Sequence, residues 1–236
     1  MTDQLATPRR DLLIASALAA GAVITACKGG GSGEGAAKPK DEDEVTPSED
    51  LMREHGLLAR LLLIYDDAAL RLETGGMDVD PGVLLQASDI VKSFVEDYHE
   101  RLEEDFLFPR FERGNVNKEL VILLRVQHGV GRRVTAEIHS LASGPRLTAP
   151  ADRRELASAL RRFTRMYRPH AAREDTVLFP SLHKVITPSE FDSLGDEFEK
   201  RERELFGQDG FEGMVAKVGA LERQVGLFDL AQFTPA

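Results

Sequence analysis

One pattern occurs twice in this chain and narrows what it can fold into. His99-Glu100-Arg101-Leu102-Glu103 runs on to Leu107-Phe108-Pro109, and His170-Ala171-Ala172-Arg173-Glu174 runs on to Leu178-Phe179-Pro180 with the same spacing. In each copy the Glu stands four residues after the His. An upstream histidine followed by glycine accompanies each copy, His55-Gly56 and His128-Gly129. Residues four apart on a helix share a face, so each His/Glu pair can point at one spot. Two such pairs and two single histidines supply four imidazoles and two carboxylates, a ligand set for two metal ions inside a duplicated helical bundle.

Helix punctuation supports that reading. Thr46-Pro47-Ser48-Glu49 is a capping box with proline at the first helical position, and it opens a helix that stops at Gly75-Gly76. Asp80-Pro81 starts a second helix, expected to end near Phe106, ahead of Pro109. A third runs from near Asn117 to Ser143-Gly144. A fourth starts near Asp152 and reaches the break at Phe179-Pro180, with Pro169 expected to kink it. Thr187-Pro188-Ser189-Glu190 repeats the first capping box and opens a fifth helix, closed by Gly207; a sixth covers Phe211 to Val225. No stretch alternates as a half-buried strand would, so the chain reads as all-α.

Each candidate ligand falls on its helix's apolar stripe. The stripes are Leu51, His55, Leu58, Leu62 and Tyr65; Val91, Val95, His99, Leu102 and Phe106; Val121, Leu124, His128, Gly131, Thr135 and Ile138; and Leu156, Leu160, Phe163, Tyr167, His170, Glu174 and Val177. A buried histidine or carboxylate is costly unless it is hydrogen-bonded or coordinated. One such histidine is an ordinary core residue. Four, one per helix, with two Glu at matched offsets, form a metal site. Arg132 shares the face of His128 and either pairs with a bridging Glu, steadies an anion, or is a surface arginine like Arg133. Tyr167 is a core residue or donates a hydrogen bond beside the site. Glu100, a possible additional ligand, lies about 100° from His99 around the helix and reads as a solvated charge. His139 and His183 fall away from the site.

The 236 residues, 42% hydrophobic, suit one globular domain with appendages. A net charge of −10 argues against a nucleic-acid partner. The single cysteine excludes thiolate metal sites. That cysteine, Cys27, closes an uncharged stretch from Leu12 to Ala26 that follows Arg9-Arg10. The stretch is too short to span a membrane comfortably and has the order of an export signal. Arg9-Arg10-Asp11-Leu12-Leu13 resembles a twin-arginine signal, and Ile24-Thr25-Ala26-Cys27 resembles a bacterial lipobox, in which the cysteine is acylated. Residues 28–45 read as a flexible tether, glycine-rich and then charged. The expected organisation is an export signal with lipobox over 1–27, a linker over 28–45, a bundle over 46–186 and a helical extension over 187–236. The localisation that follows is an exported lipoprotein, membrane-anchored on the periplasmic or extracellular side.

Imidazole and carboxylate without thiolate suit iron, manganese or zinc. Pairing by repeat, one ion takes His55 and His99, the other His128 and His170, with Glu103 and Glu174 between them. This arrangement resembles the hemerythrin-like (HHE cation-binding) family over about residues 48 to 183. The match lies in His55-Gly56, His99-Glu100-x-x-Glu103, His128 and His170-x-x-x-Glu174, with Leu-Phe-Pro after both paired motifs. The resemblance implies an up-down four-helix bundle, here with two additional C-terminal helices, and a non-haem centre of two iron ions that handles O2 or NO. Oxygen-carrying members have a further histidine where this chain has Arg132, and an Asp at the offset of Asp175. Either Glu174 or Asp175 could bridge, and the internal repeat favours Glu174. Four His and two Glu resemble more closely the members linked to nitrosative stress and iron-centre repair. The expected function is binding or sensing of O2 or NO, or iron handling, at a membrane surface. The alternatives are reduction of NO or peroxide, for which no flavin, haem or nicotinamide motif is visible, and a redox-silent zinc-loaded interaction domain. The protein partner is not specified by these features.

Overall fold

The computed structural model describes residues 45–75, 79–143, 147 and 149–235. The segments expected to be an export signal and a lipobox with Cys27, nearly all of the expected linker, and the expected stops at Gly76 and Gly144 lie outside the described residues. Six helices follow in chain order, and no strand occurs among the described residues. Helix α1 is Pro47–Glu73. Its capping box forms as expected: Glu49 N–H donates to Thr46 Oγ1 at 3.3 Å, and Thr46 N–H to Glu49 Oε2 at 3.0 Å. Helix α2 covers residues 81–114, with the Asp80 side chain capping Gly82 N–H at 2.8 Å. Helix α3 is Lys118–Ala142, entered through Asn115 and Asn117, both left-handed, a conformation that asparagine tolerates. Helix α4 covers residues 150–184, starting at Pro150 rather than Asp152, because proline suits the first helical position. Helices α5, Pro188–Phe206, and α6, Gly210–Val225, complete the set.

The first four helices form a ring. α1 packs on α4, α4 on α3, α3 on α2, and α2 closes against α1. The stripes meet in the middle and are buried almost to a residue. Helices α5 and α6 both lie against α1 and α2. Leu194 and Phe198 of α5 are buried, Phe206 meets Tyr98 edge-on at 5.3 Å, and Arg60 grips Glu222 of α6 through Nε and Nη2. This extension therefore covers the bundle's flank, although Leu205 stays exposed. No helix among the described residues is long and apolar enough to cross a membrane.

The second helix corrects an expectation. It does not end before Pro109 but continues to Gly114, because two stretches, Val91–His99 and Glu103–Leu107, are π-helical. In the second of these, Phe108 N–H bonds back five residues to Glu103 C=O. The widened turn frees carbonyls that a proline could not satisfy, and Arg125 Nη2 reaches the Glu104 carbonyl at 3.4 Å. The same π turn recurs over Glu174–Leu178 and passes into a 3₁₀ segment, Phe179–Lys184, so the fourth helix tightens at Pro180 rather than breaking. Pro169 stands inside the run Pro150–Arg173, which remains helical through it. Each π turn inserts a residue and shifts the phase, so Leu178 is buried where the stripe predicts Val177, which is exposed.

Candidate metal centre

Two of the three π-helical stretches begin at Glu103 and Glu174, the two glutamates of the repeated motif. Both carboxylates are fully buried, and their four oxygens lack hydrogen-bond partners among the described residues. Around them stand the four histidines, all buried. His55 and His99 face each other with Nε2 atoms 3.0 Å apart, and His128 and His170 with Nε2 atoms 3.3 Å apart. Each glutamate reaches one histidine of each pair. Glu174 Oε2 lies 3.4 Å from His55 Nε2 and 3.1 Å from His170 Nε2; Glu103 Oε2 lies 3.9 Å from His99 Nε2 and 3.4 Å from His128 Nε2. All six expected residues therefore meet at one spot, with the carboxylates between the two imidazole pairs.

The far nitrogen of every ring is held. His55 Nδ1 donates to Asp175 at 2.7 Å, His99 Nδ1 to Glu54 at 2.5 Å, His128 Nδ1 to Glu104 at 3.0 Å, and His170 Nδ1 to Gln127 Oε1 at 2.9 Å. Carboxylate and amide oxygens only accept, so those Nδ1 atoms carry the hydrogens and each neutral ring turns a bare Nε2 lone pair inward. Four inward lone pairs beside two unpaired carboxylates repel one another unless a cation lies among them. Protonation responds in the same sense. Against its burial, the hydrogen bond to Asp175 and the neighbouring Glu174 carboxylate push His55 up to about 10, while burial pushes His99 down to about 4. Burial and the charge of Glu174 push Glu103 up to about 7; Glu174, despite burial, is held low by His170 and His55. Imidazole, carboxylate and no sulfur is a donor set that fits iron, manganese or zinc.

Aromatic walls close the centre. Phe179 stacks on His55 with centroids 5.5 Å apart, and Phe108 on His128 at 5.4 Å. This is the role of the repeated Leu-Phe-Pro: its phenylalanine covers a histidine of the other repeat.

Three supporting residues, Glu54, Glu104 and Gln127, were not singled out from sequence. The signal was there in the repeat. Glu54 and Gln127 immediately precede the upstream histidines, and Glu104 and Asp175 immediately follow the motif glutamates. Asp175 itself sits behind His55, so Glu174 is the carboxylate between the pairs. Glu100 corrects the expectation of a solvated charge. It is buried, because the flank of α2 beside the stripe is covered by α3 and α4: Tyr167 Oη donates to Glu100 at 2.6 Å and Arg132 Nη2 lies 2.8 Å from it. Arg132 is half-buried and bonds Glu104 at 2.8 Å, not Glu103 or Glu174. Against burial, hydrogen bonds from His128 and Arg132 hold Glu104 down to about 2. Tyr167 is both core and donor, its partner being Glu100 rather than a histidine. His139 and His183 lie outside the centre, as expected, and both are exposed.

Comparison with known proteins agrees with this geometry. The model of the hemerythrin HHE cation-binding domain matches residues 46–182. Uncharacterised proteins of Mycobacterium bovis and Mycobacterium tuberculosis are each 39% identical to the chain over 240 aligned residues, covering 100% of it and 94% of the relative. No solved structure matches. The chain belongs to the hemerythrin HHE cation-binding domain family.

Proposed function

We propose that this hemerythrin-family protein is a non-haem di-iron protein that binds or senses O2 or NO, or handles iron, at a membrane surface. The observation that carries the reading is the convergence of four bare Nε2 atoms on two carboxylates, each of which reaches both imidazole pairs. His55 and His99 would hold one ion, His128 and His170 the other, with Glu103 and Glu174 shared. Iron bound there would supply a redox-active centre with positions to spare for a small ligand, since six residues do not fill the coordination of two ions. The rest is done by the chain itself. Asp175, Glu54, Glu104 and Gln127 fix ring orientation and tautomer. Phe108 and Phe179 keep bulk water off the imidazoles.

A cavity of about 450 Å³ on the α2–α3 flank is lined by Arg132, Glu96, Lys92, Thr135 and His139 among others, and by none of the six candidate ligands. Arg132 belongs both to that lining and to the Glu104–His128 network.

Metal analysis with a visible spectrum of the purified protein tests the reading. Two iron ions per chain and absorption bands that change on adding NO to the reduced protein are expected. A colourless, redox-silent zinc protein would overturn it in favour of an interaction domain, and sustained turnover of NO or peroxide with a chemical reductant would make it an enzyme. The membrane location rests on Arg9-Arg10, the uncharged stretch and Cys27. Changing Arg9 and Arg10 to Lys should strand the protein inside the cell, and Cys27→Ser should release it from the membrane; normal export and continued attachment would refute the targeting.

A further inference from the structure

A second group of carboxylates lies on the outer side of His99, built partly from the extension that the family match does not reach. Asp50 and Glu54 of α1 and Glu202 of α5 each offer an oxygen, and no two of these oxygens are more than 4.8 Å apart. Glu54 is 2% exposed; one of its oxygens accepts from His99 Nδ1, and the other, Oε1, has no partner. The Tyr98 hydroxyl of α2, in a side chain 1% exposed, is also unpartnered; it lies short of hydrogen-bond geometry to Glu54, with the charges of Glu54, Glu202 and Asp50 acting on it. Two buried polar groups thus lie at the carboxylate cluster, neither of them in a hydrogen bond of good geometry. Glu202 is placed there by the α5–α6 turn: its Oε1 accepts from Phe211 N–H at 2.7 Å, and Gly210 leaves room for the carboxylate, since a Cβ at 210 would lie 1.8 Å from that oxygen.

The cationic side chains nearby do not satisfy the cluster. Arg53 approaches Asp50 only to 3.7 Å, with its other nitrogen on Glu212 at 3.2 Å and its guanidinium over the Phe211 ring. Glu199 of α5 adds a further negative charge facing Asp50.

We propose that Asp50, Glu54 and Glu202, with the Tyr98 hydroxyl, form a third metal site, for an oxygen-preferring divalent cation of the Mn²⁺ or Ca²⁺ kind. An all-oxygen set without imidazole or sulfur selects hard cations. Glu54 is shared: one oxygen would ligate the outer ion while the other holds His99. The cation would also tie α5 to α1, adding to the packing of Leu194, Phe198 and Phe206 that already holds the extension.

The test titrates iron-loaded, full-length protein with Mn²⁺, reading free Mn²⁺ by its electron paramagnetic resonance signal. One Mn²⁺ per chain beyond the iron is expected in the wild type, and at least a tenfold weaker uptake in Glu202→Gln and in Asp50→Asn, with iron content unchanged. Glu202→Gln keeps an acceptor for Phe211 N–H; should it fail to fold, Asp50→Asn decides alone. No uptake beyond the iron, or equal uptake in the wild type and the folded variants, would overturn the proposal. Uptake abolished by His128→Gln but untouched by Asp50→Asn would do so too, because it would assign the Mn²⁺ to the inner centre.

Discussion

His55 and His99 lean on two carboxylates, Asp175 and Glu54, whereas His128 and His170 lean on one carboxylate and one amide, Glu104 and Gln127. The single carboxylate of the second pair is also shared, for Glu104 takes Arg132 at 2.8 Å and Arg101 at 2.9 Å. The atoms facing inward obey the repeat, and the layer behind them breaks it. Arg132, Glu100 and Glu96 correspond by repeat position to Ala59, Ala171 and Tyr167, so this group of charges has no counterpart in the other repeat. A carboxylate behind an imidazole makes it a more basic ligand. The first pair is thus suited to hold an ion more firmly than the second.

The strongest way to break the comparison removes what the halves share. Replacing both Glu103 and Glu174 with Ala should lower occupancy from two ions to one or none, by elemental analysis. Retention of two tightly held ions would mean that the halves do not depend on common bridges. If one ion survives, it should be the one at His55 and His99.

Gly131→Ala comes next and strikes the second half alone. A Cβ at 131 would lie 2.0 Å from Tyr167 Oη and 2.8 Å from its Cζ. The buried ring must move, and its hydrogen bond to Glu100 goes with it. Overpacking of this kind costs roughly 1–3 kcal/mol, and a buried carboxylate losing a donor adds about 1–3 kcal/mol. Both outweigh the helix-propensity gain of about 1 kcal/mol. Thermal unfolding should drop by about 5 °C or more. A rise would show that the glycine is there for nothing.

Exchanging the supports sharpens the comparison directly. Glu54→Gln should weaken retention of one ion by roughly 10–100-fold, and Gln127→Glu should strengthen retention of the other by a similar factor. Competition with a chelator, following how many ions leave and in what order, reads both. Indifference to the two changes would reduce the asymmetry to packing.

Much of this arrangement was legible from residues, and what was not has a physical reason. His55, His99, Glu103, His128, His170 and Glu174 meet as expected, because three-four spacing places them on stripes that must face inward. Both capping boxes formed because they rest on neighbours in sequence. The π turns were invisible, since a bond reaching five residues back instead of four leaves no compositional mark; hence the misplaced end at Pro109 and the exchange of Val177 for Leu178. Glu100 was misread because angle around one helix says nothing of which neighbours cover that flank. The cover is Arg132 and Tyr167, and only tertiary packing brings them there.

The smallest expected effect tests the buried charge that one half has and the other lacks. Glu96 of α2 is fully buried, neither of its oxygens has a hydrogen-bond partner, and Lys92 Nζ comes no closer than 3.7 Å. Burial pushes its carboxyl from the ordinary 4.5 up to about 7, and the charge of Glu100 adds to that. A raised acid is bound to its proton more tightly in the folded chain than in the unfolded one. Its destabilisation is therefore absent below the unfolded value, grows as pH rises from about 4.5 to 7, and is complete above that. Glu96→Gln removes the charge with little change of shape. At pH 8 it should stabilise the protein by about 1–2 kcal/mol, discounted from the full shift because Lys92 reaches Glu96 from solvent. At pH 4 the variant and the wild type should melt together. Denaturant unfolding at the two pH values measures the difference, and a variant less stable at pH 8 would mean that Glu96 is paired in solution. The second half would then carry no uncompensated charge, and the comparison would rest on Gln127 alone.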